Sequence, residues 1–258
     1  MRLLMAPLVL AAALPAFSQG VERYWYFDLH QFSPTLEGHF RDAKADNPVD
    51  VDLTRDLGLR KDKAKLGFSL EYQGPRFGLE LSRDGEDYVG SNTVAQKVTI
   101  NNTTFTADTL VNSRVKATNN TLNWTIRILR WPQAWIGLDL GARATQLEIS
   151  ANGSEPFSGV TATADYKATL PVPQVGLSAG FQAFNNRLIG RGYYHFLSFK
   201  GATYRHPGAD LRFFPINWLG VRVFTDGEHF KVPKGSVNDT ADIALDRTGT
   251  GVGIVARW

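Results

Sequence analysis

The 258 residues include no cysteine, which excludes a disulfide framework, thiol catalysis, cysteine-bearing zinc sites and a lipid-anchored N-terminal cysteine. Charge of one sign is not in excess either: 28 Lys and Arg stand against 25 Asp and Glu, a formal +3. No basic run of the kind that marks a nucleic-acid footprint occurs, and no nucleic-acid partner is expected. Beyond residue 20 there is no stretch of about 18 apolar residues, so no transmembrane helix is expected there. Helix-period segments, internal repeats and a second region of distinct composition are also missing. Hydrophobic residues make up 43% and aromatics 12%, enough for one folded domain and too much for a disordered chain.

The chain opens with Met1-Arg2, the apolar run Leu3 to Leu14, and then Pro15-Ala16-Phe17-Ser18. That order of charged, greasy and small residues predicts a secretory signal peptide over 1–18 and a mature domain over 19–258. The apolar part is shorter than the roughly 20 residues a bilayer-spanning helix needs.

What is abundant is alternation. Leu66, Phe68, Leu70 and Tyr72 alternate with Lys65, Gly67, Ser69 and Glu71. After the turn at Gly74-Pro75 the pattern resumes with Phe77, Leu79 and Leu81 against Gly78, Glu80 and Ser82. Period two requires a strand with unlike faces, and Gly with Pro supplies the turn. The same rule gives hairpins from Leu122–Ile128 to Ile136–Leu140 through Trp131-Pro132, and from Val175–Ala183 to Leu188–Phe196 through Asn185-Asn186. A fourth runs from Ala209–Phe213 to Leu219–Val223 through Pro215-Ile216-Asn217. One strand near Thr35 to Arg41 and another near Asp246 to Trp258 bracket the set. The expected fold is all-β: a transmembrane antiparallel up-and-down barrel of ten strands, with eight the alternative because Asn92–Val111 and Tyr204–Pro207 are ambiguous. The apolar phase moves from even positions at Ile136–Ala144 to odd ones at Leu147 and Ile149, which predicts a bulge or the end of the membrane-embedded part.

Asymmetry says which face meets lipid. The four tight turns connect strands in one sense, whereas Asp42–Asp62, Gly85–Gln96, Ser150–Ser158 and Lys231–Asp242 read as longer polar connections, the pattern of outer-membrane barrels. Tyr72, Phe77, Trp131, Trp135, Phe184, Phe213, Trp218 and Trp258 cluster by the tight turns, as an aromatic girdle does. The opposite face carries Lys65, Glu71, Glu80, Arg127, Asp139, Arg143, Arg191, His195, Asp210, Arg212 and Arg222. An Arg facing lipid at the midplane costs about 2–4 kcal/mol, so these residues are expected to form a polar network that fills a narrow lumen.

The final residues put Val252, Ile254, Ala256 and Trp258 on one face and end on an aromatic. This resembles the C-terminal insertion signal of Gram-negative outer-membrane β-barrel proteins, which implies insertion by the barrel-assembly machinery. Asp56-Leu57-Gly58-Leu59, Phe105–Ser113 and Leu170–Gly176 also resemble a group of small outer-membrane barrels of proteobacteria and their relatives. The resemblance implies the architecture and its location in the bacterial outer membrane; it carries no reaction. A monomer is expected, with outer-membrane lipid and lipopolysaccharide as neighbours. Lipid A 3-O-deacylases place His and Ser two apart, whereas His195 and Ser198 are three apart and fall on opposite faces. Omptin proteases place acidic pairs and an Asp-x-His element at the outer rim. Asp84 with Glu86, and Asp226 with Glu228, are rim candidates, but His229 falls one residue past Glu228. No catalytic set is therefore assigned. His30 and His39 lie in the N-terminal region and His206 and His229 in outer loops, without metal-ligand spacing, and no metal or cofactor is expected. Arg60, Lys61, Lys63, Arg205 and Lys234 are basic loop residues suited to lipopolysaccharide phosphates. The expected role is structural or surface-interacting, through the outer loops; a narrow porin-like channel for small solutes and a rim enzyme acting on envelope lipid or peptide are the alternatives.

Overall fold

A computed structural model describes residues 23–42, 50–94, 98–100, 103–154, 161–235 and 241–258. Residues 1–18, expected from the sequence to be a signal peptide, lie outside the described residues. In chain order the strands are β1 (Tyr24–Asp42), β2 (Asp50–Asp52), β3 (Arg60–Ala64), β4 (Leu66–Gln73), β5 (Phe77–Thr93), β6 (Val98–Ile100) and β7 (Thr103–Phe105). They continue as β8 (Leu110–Arg130), β9 (Ala134–Ser154), β10 (Thr161–Ala183), β11 (Leu188–Phe199), β12 (Ala202–Ile216), β13 (Leu219–Val232) and β14 (Ala241–Arg257). Among the described residues ten of them, β1, β4, β5 and β8 to β14, pair antiparallel in an up-and-down ring that β14 closes on β1. The expected ten strands therefore hold over the alternative of eight. At the seam Trp25 and Trp258 exchange backbone hydrogen bonds of 3.0 and 3.1 Å, so the first and last strands are clasped at the end where the four tight turns lie.

The strands exceed their expected bounds. β1 begins at Tyr24 rather than near Thr35, the stretch from Gly85 to Thr93 belongs to β5, and Ser150–Ser154 belongs to β9. Tyr204–Pro207 is strand, inside β12, and one outer connection, Lys200-Gly201 between β11 and β12, is short. Asn92–Val111 resolves into the ends of β5 and β8 around the β6–β7 hairpin.

Length explains this. A membrane crossing needs about 9–11 strand residues, yet β9 has 21 and β10 has 23. β9 shows what the surplus does. Its outward positions read Ile136, Leu138, Leu140, Ala142, Ala144, then Gln146, Glu148, Ser150 and Asn152; its inward positions read Trp135, Asp139, Arg143, then Leu147, Ile149 and Ala151. Register with β10 is unbroken across that point. Of the two sequence readings of the phase change, a bulge and the end of the membrane-embedded part, it is the second: the chain keeps its faces and exchanges their chemistry. β8 does the same between Asn120 and Leu122.

Two zones follow. In the lower one apolar side chains point outward and are exposed: Leu79, Leu122, Trp124, Leu177, Val223 and Ile254 are 43–62% accessible. So contiguous an apolar surface is stable only against lipid. Phe77, Trp131, Phe184, Phe213, Trp218 and Trp258 are exposed at the turn end, as a girdle requires. Trp135 is the exception. It is buried, facing the lumen under the Arg127 guanidinium at 4.7 Å, because its odd position on β9 is inward.

In the upper zone the barrel is a water-facing structure with an apolar inside. Val115, Leu147, Ile149, Ala151, Ala164 and Ile243 from the wall pack against Val51, Leu53, Leu57 and Leu59 from the first outer connection. That segment folds down as a plug. Its Gly58 takes a φ of +61°, a left-handed conformation suited to glycine, and it lies so close to Gly90 of β5 that a Cβ at residue 90 would collide with the backbone of Leu57 and Gly58. Asn92 Nδ2 donates to the Arg55 carbonyl at 2.6 Å and fixes the position.

Replacing Leu79 by Arg in the belt should destabilise the barrel by about 2–4 kcal/mol, while Gln146→Arg, two residues past the belt on β9, should leave it within about 0.5 kcal/mol. Urea titration of the protein refolded into vesicles measures both, and equal costs would refute the boundary drawn through β9.

Candidate functional site

The lumen is built from inward positions of all ten wall strands. Nearest the tight turns, Arg257 sits over Phe214 at 4.1 Å and donates to the carbonyls of Asn186 and Asn217 at 2.5 Å each. Arg127 donates to the Gly74 carbonyl at 2.7 Å and to Gln73 at 3.1 Å. Both arginines thus tie down turn backbone that would otherwise be unpaired near the membrane surface.

Above them is a belt of ion pairs. Arg212 reaches Glu71 at 2.6 Å and Asp210 at 2.8 Å; Arg191 reaches Glu80 at 2.9 Å, with Glu71 and Asp139 each at 3.7 Å. Arg222 meets Asp28 at 3.2 Å and Asp210 at 3.7 Å. His30 is held between Asp28 at 2.7 Å and Asp84 at 2.6 Å. Higher still, Arg247 pairs with Glu86, with Asp226 at 3.1 Å and with Glu228 at 3.0 Å, and Arg143 faces Glu228 at 3.6 Å. The apolar plug zone begins directly above.

Between these layers two imidazoles meet. His195 Nε2 lies 3.0 Å from Asp139, whose carboxylate also accepts from Thr125 at 2.6 Å and Ser178 at 2.8 Å. His206 Nε2 lies 2.6 Å from Asp226, which also accepts from the Tyr193 hydroxyl at 2.7 Å. The two Nδ1 atoms face each other at 3.4 Å. Glycines make room for the rings: a Cβ on Gly176 would strike His195, and one on Gly208 would strike Tyr193. A polar cavity of about 80 Å³, bordered by Gln174, Arg191, Tyr193, His195, His206 and Asp226 among others, adjoins the pair.

Of the residues expected inside, Glu71, Arg127, Asp139, Arg143, Arg191, His195, Asp210, Arg212 and Arg222 are buried in the lumen and Glu80 lines it. Lys65 is not there. It stands on the outer side, 3.5 Å from Asp87, because it precedes the regular part of β4. Asp84, Glu86, Asp226 and Glu228 do not sit at an open rim: β5 and β13 continue past them, and all four face into the lumen against Arg or His. His206 is likewise in the lumen, not in an outer loop, whereas His229 is at the surface beside Asp246 at 2.6 Å. His195 and Ser198 fall on opposite faces. Sequence reasoning missed Asp28, His30, Gln174 and Arg247. Their signal was present, since Asp28 and His30 alternate with Phe27 and Leu29, and Arg247 has the parity opposite to Val252 and Ile254.

With this geometry in place, comparison with known proteins adds the setting. No protein-family model matches the chain, and no curated protein does. Among solved structures, the outer membrane protease OmpT from Escherichia coli superposes with a TM-score of 0.62 at 12% identity, over 91% of this chain and 97% of that one. The chain has the fold of a bacterial outer-membrane β-barrel. Ail of Yersinia pestis (TM-score 0.33, 14% identity, 92% and 100% coverage) and the toluene transporter TodX of Pseudomonas putida (0.34, 7%, 91% and 89%) also match, at a looser superposition.

Arg212→Leu should remove the partner of Glu71 and Asp210 inside the lumen and cost about 3–5 kcal/mol, read as a lower urea midpoint; a change within 0.5 kcal/mol would mean the pairs are solvated. Above the belt, hydrogen bonds from Arg114 hold the Asp87 carboxyl below its ordinary value, against a desolvation that raises it and with Lys65 assisting. With the folded value depressed, this contribution is complete above the ordinary carboxylate range and lost as pH falls through the folded value. Asp87→Asn should therefore lower stability at neutral pH and flatten its decline on acidification, measured by urea titration across pH.

Proposed function

We infer that this barrel is non-conducting and acts as a membrane-anchored platform, with a structural or surface-interaction role carried by its extracellular part. The observation behind this reading is the stacking of two seals: guanidinium–carboxylate pairs across the lumen and an apolar plug of Leu53, Leu57 and Leu59 above them. An ion entering would have to displace matched charges and then cross a dry layer, each unfavourable by several kcal/mol. A narrow solute channel has no comparable support. A rim enzyme has less: the carboxylates of Asp84, Glu86, Asp226 and Glu228 are turned inward and bonded to His30, Arg247 or His206.

On this reading residues 1–18 are removed on export, the outward face of Val252, Ile254, Ala256 and Trp258 on β14 is what the assembly machinery reads, and the barrel works as a monomer. Exposed Arg205 and Lys234 on the outer side meet lipopolysaccharide phosphates as the surrounding lipid. Planar-bilayer recording tests the core of it. The full barrel should show no steady current; a steady open-channel current in the unaltered protein would overturn the reading.

A further inference from the structure

The wall is not paired equally along its height. β10 pairs with β9 along its whole length, from Thr161 to Ala183, but with β11 only from Val175 to Ala183. Continued in register, the second ladder would set Pro173 against Ser198 and Val172 against Phe199. Pro171 and Pro173 stop it. The Gln182 amide donates to the Gln133 carbonyl on the β9 side, so even-numbered amides of β10 point to β9 and odd-numbered ones to β11. Proline has no amide to give, and here two prolines occupy successive positions that β11 would need. Such placement belongs to a strand edge.

Among the described residues no strand pairs with Lys167 to Pro173 on that side. Higher up, the β6–β7 hairpin covers the edge, where Thr103 Oγ1 donates to the Thr163 carbonyl at 3.2 Å. Lower down, side chains bridge it: Gln174 donates to the Tyr204 hydroxyl of β12 at 2.8 Å. A notch is left between them. Pro171 and Pro173 lie opposite Ala144 and Ala142 of β9, its last apolar outward residues before Gln146, so the notch opens at the membrane surface. Phe199 reports the same opening from β11. It has the inward parity of His195 and yet is 56% exposed, because β10 does not pair beside it. Lys200 Nζ lies 5.4 Å from the centre of that ring, and Arg205 is exposed on β12.

Behind the notch is a cavity of about 60 Å³, bordered by Leu36, Leu53, Leu147, Leu170, Val172 and Phe230 among others. Leu170 and Val172 are the inward residues of the notch's own edge. The space suits about four to six water-sized groups, each near the bulk of a methylene, and an apolar void left empty forfeits the contacts of its lining. Its inner end is Glu86, Glu228 and Arg247, already paired together, so an anionic group entering would meet two carboxylates. An alkyl chain fits inside and its anionic head does not.

We propose that the notch between β10 and β11 admits the end of one acyl chain of a phosphate-bearing membrane lipid into this chamber, while Lys200 and Arg205 hold the phosphate at the entrance. The site does not depend on whether the barrel conducts.

The test uses the full chain refolded in maltoside micelles, with a monoacyl glycerophosphate carrying a diazirine at the end of its chain; after irradiation the adducts are mapped by peptide mass spectrometry. They should concentrate on Leu170, Val172 and Phe230 and saturate with dose. Lys200→Gln and Arg205→Gln should each raise the half-saturating concentration about fivefold, the worth of one basic residue facing an anionic lipid surface, while Arg130→Gln at the tight-turn end should leave it unchanged. Pro171→Val with Pro173→Val restores both amides, lets β10 pair with β11 and should abolish the chamber adducts. Protease resistance shows that each variant folds; if one does not, the adduct map of the unaltered chain decides. Competition by lipid A or by phosphatidylglycerol names the envelope lipid that supplies the chain. Adducts confined to belt residues such as Leu177 and Val223, equal saturation by a monoacylglycerol without phosphate, competition by neither lipid, or chamber adducts unchanged in the folded double proline variant would each overturn the proposal.

Discussion

A ring of ten strands leaves an interior only as wide as the side chains that fill it, and at this width charge can be tolerated only if it is matched at short range. Isolated, each buried guanidinium or carboxylate would cost several kcal/mol. Here they interlock, Arg212 between Glu71 and Asp210, and Arg247 among Glu86, Asp226 and Glu228. Because partners come from different strands, as with Arg222 of β13 and Asp28 of β1, the pairs also register the wall across the lumen. That task cannot fall to packing on the lipid side, where tails conform to any surface.

The second organising fact is the exchange of chemistry along single strands. Alternation fixes which residues face in and out, but the surroundings change at the membrane surface. On β9 the outward set turns from Leu140 and Ala144 to Gln146 and Glu148, and the inward set from Asp139 and Arg143 to Leu147 and Ile149. One continuous sheet is thereby an inside-out protein below and an ordinary one above. The apolar upper interior needs a lid, and the Leu53–Leu59 segment supplies it.

Much of this was legible in the sequence. Parity groups Glu71, Arg127, Arg143 and Arg222 on the face opposite the apolar one, because a strand allows only two directions, and the asymmetry of turns and aromatics turns that face to the lumen. The same rule applied to Trp135 would have corrected its place in the girdle, where proximity to a turn was weighed above its odd position. Strand ends were harder. Gly85–Thr93 and Ser150–Ser154 are polar on their outer face, and local composition does not distinguish a loop from a strand standing in water. His195 was legible as a lumen residue but its pairing was not: His195 and His206 are directly cross-strand partners on β11 and β12, and their nitrogens are oriented by Asp139 of β9 and Asp226 of β13.

The clasp between Trp25 and Trp258 has a bearing on biogenesis. Within the belt a closed ring has no free border. Without β14, β1 and β13 would both present unsatisfied backbone to their surroundings, so loss of that one strand leaves two adhesive margins rather than a slightly smaller barrel. Closure of the ring and protection from self-association are thus a single event.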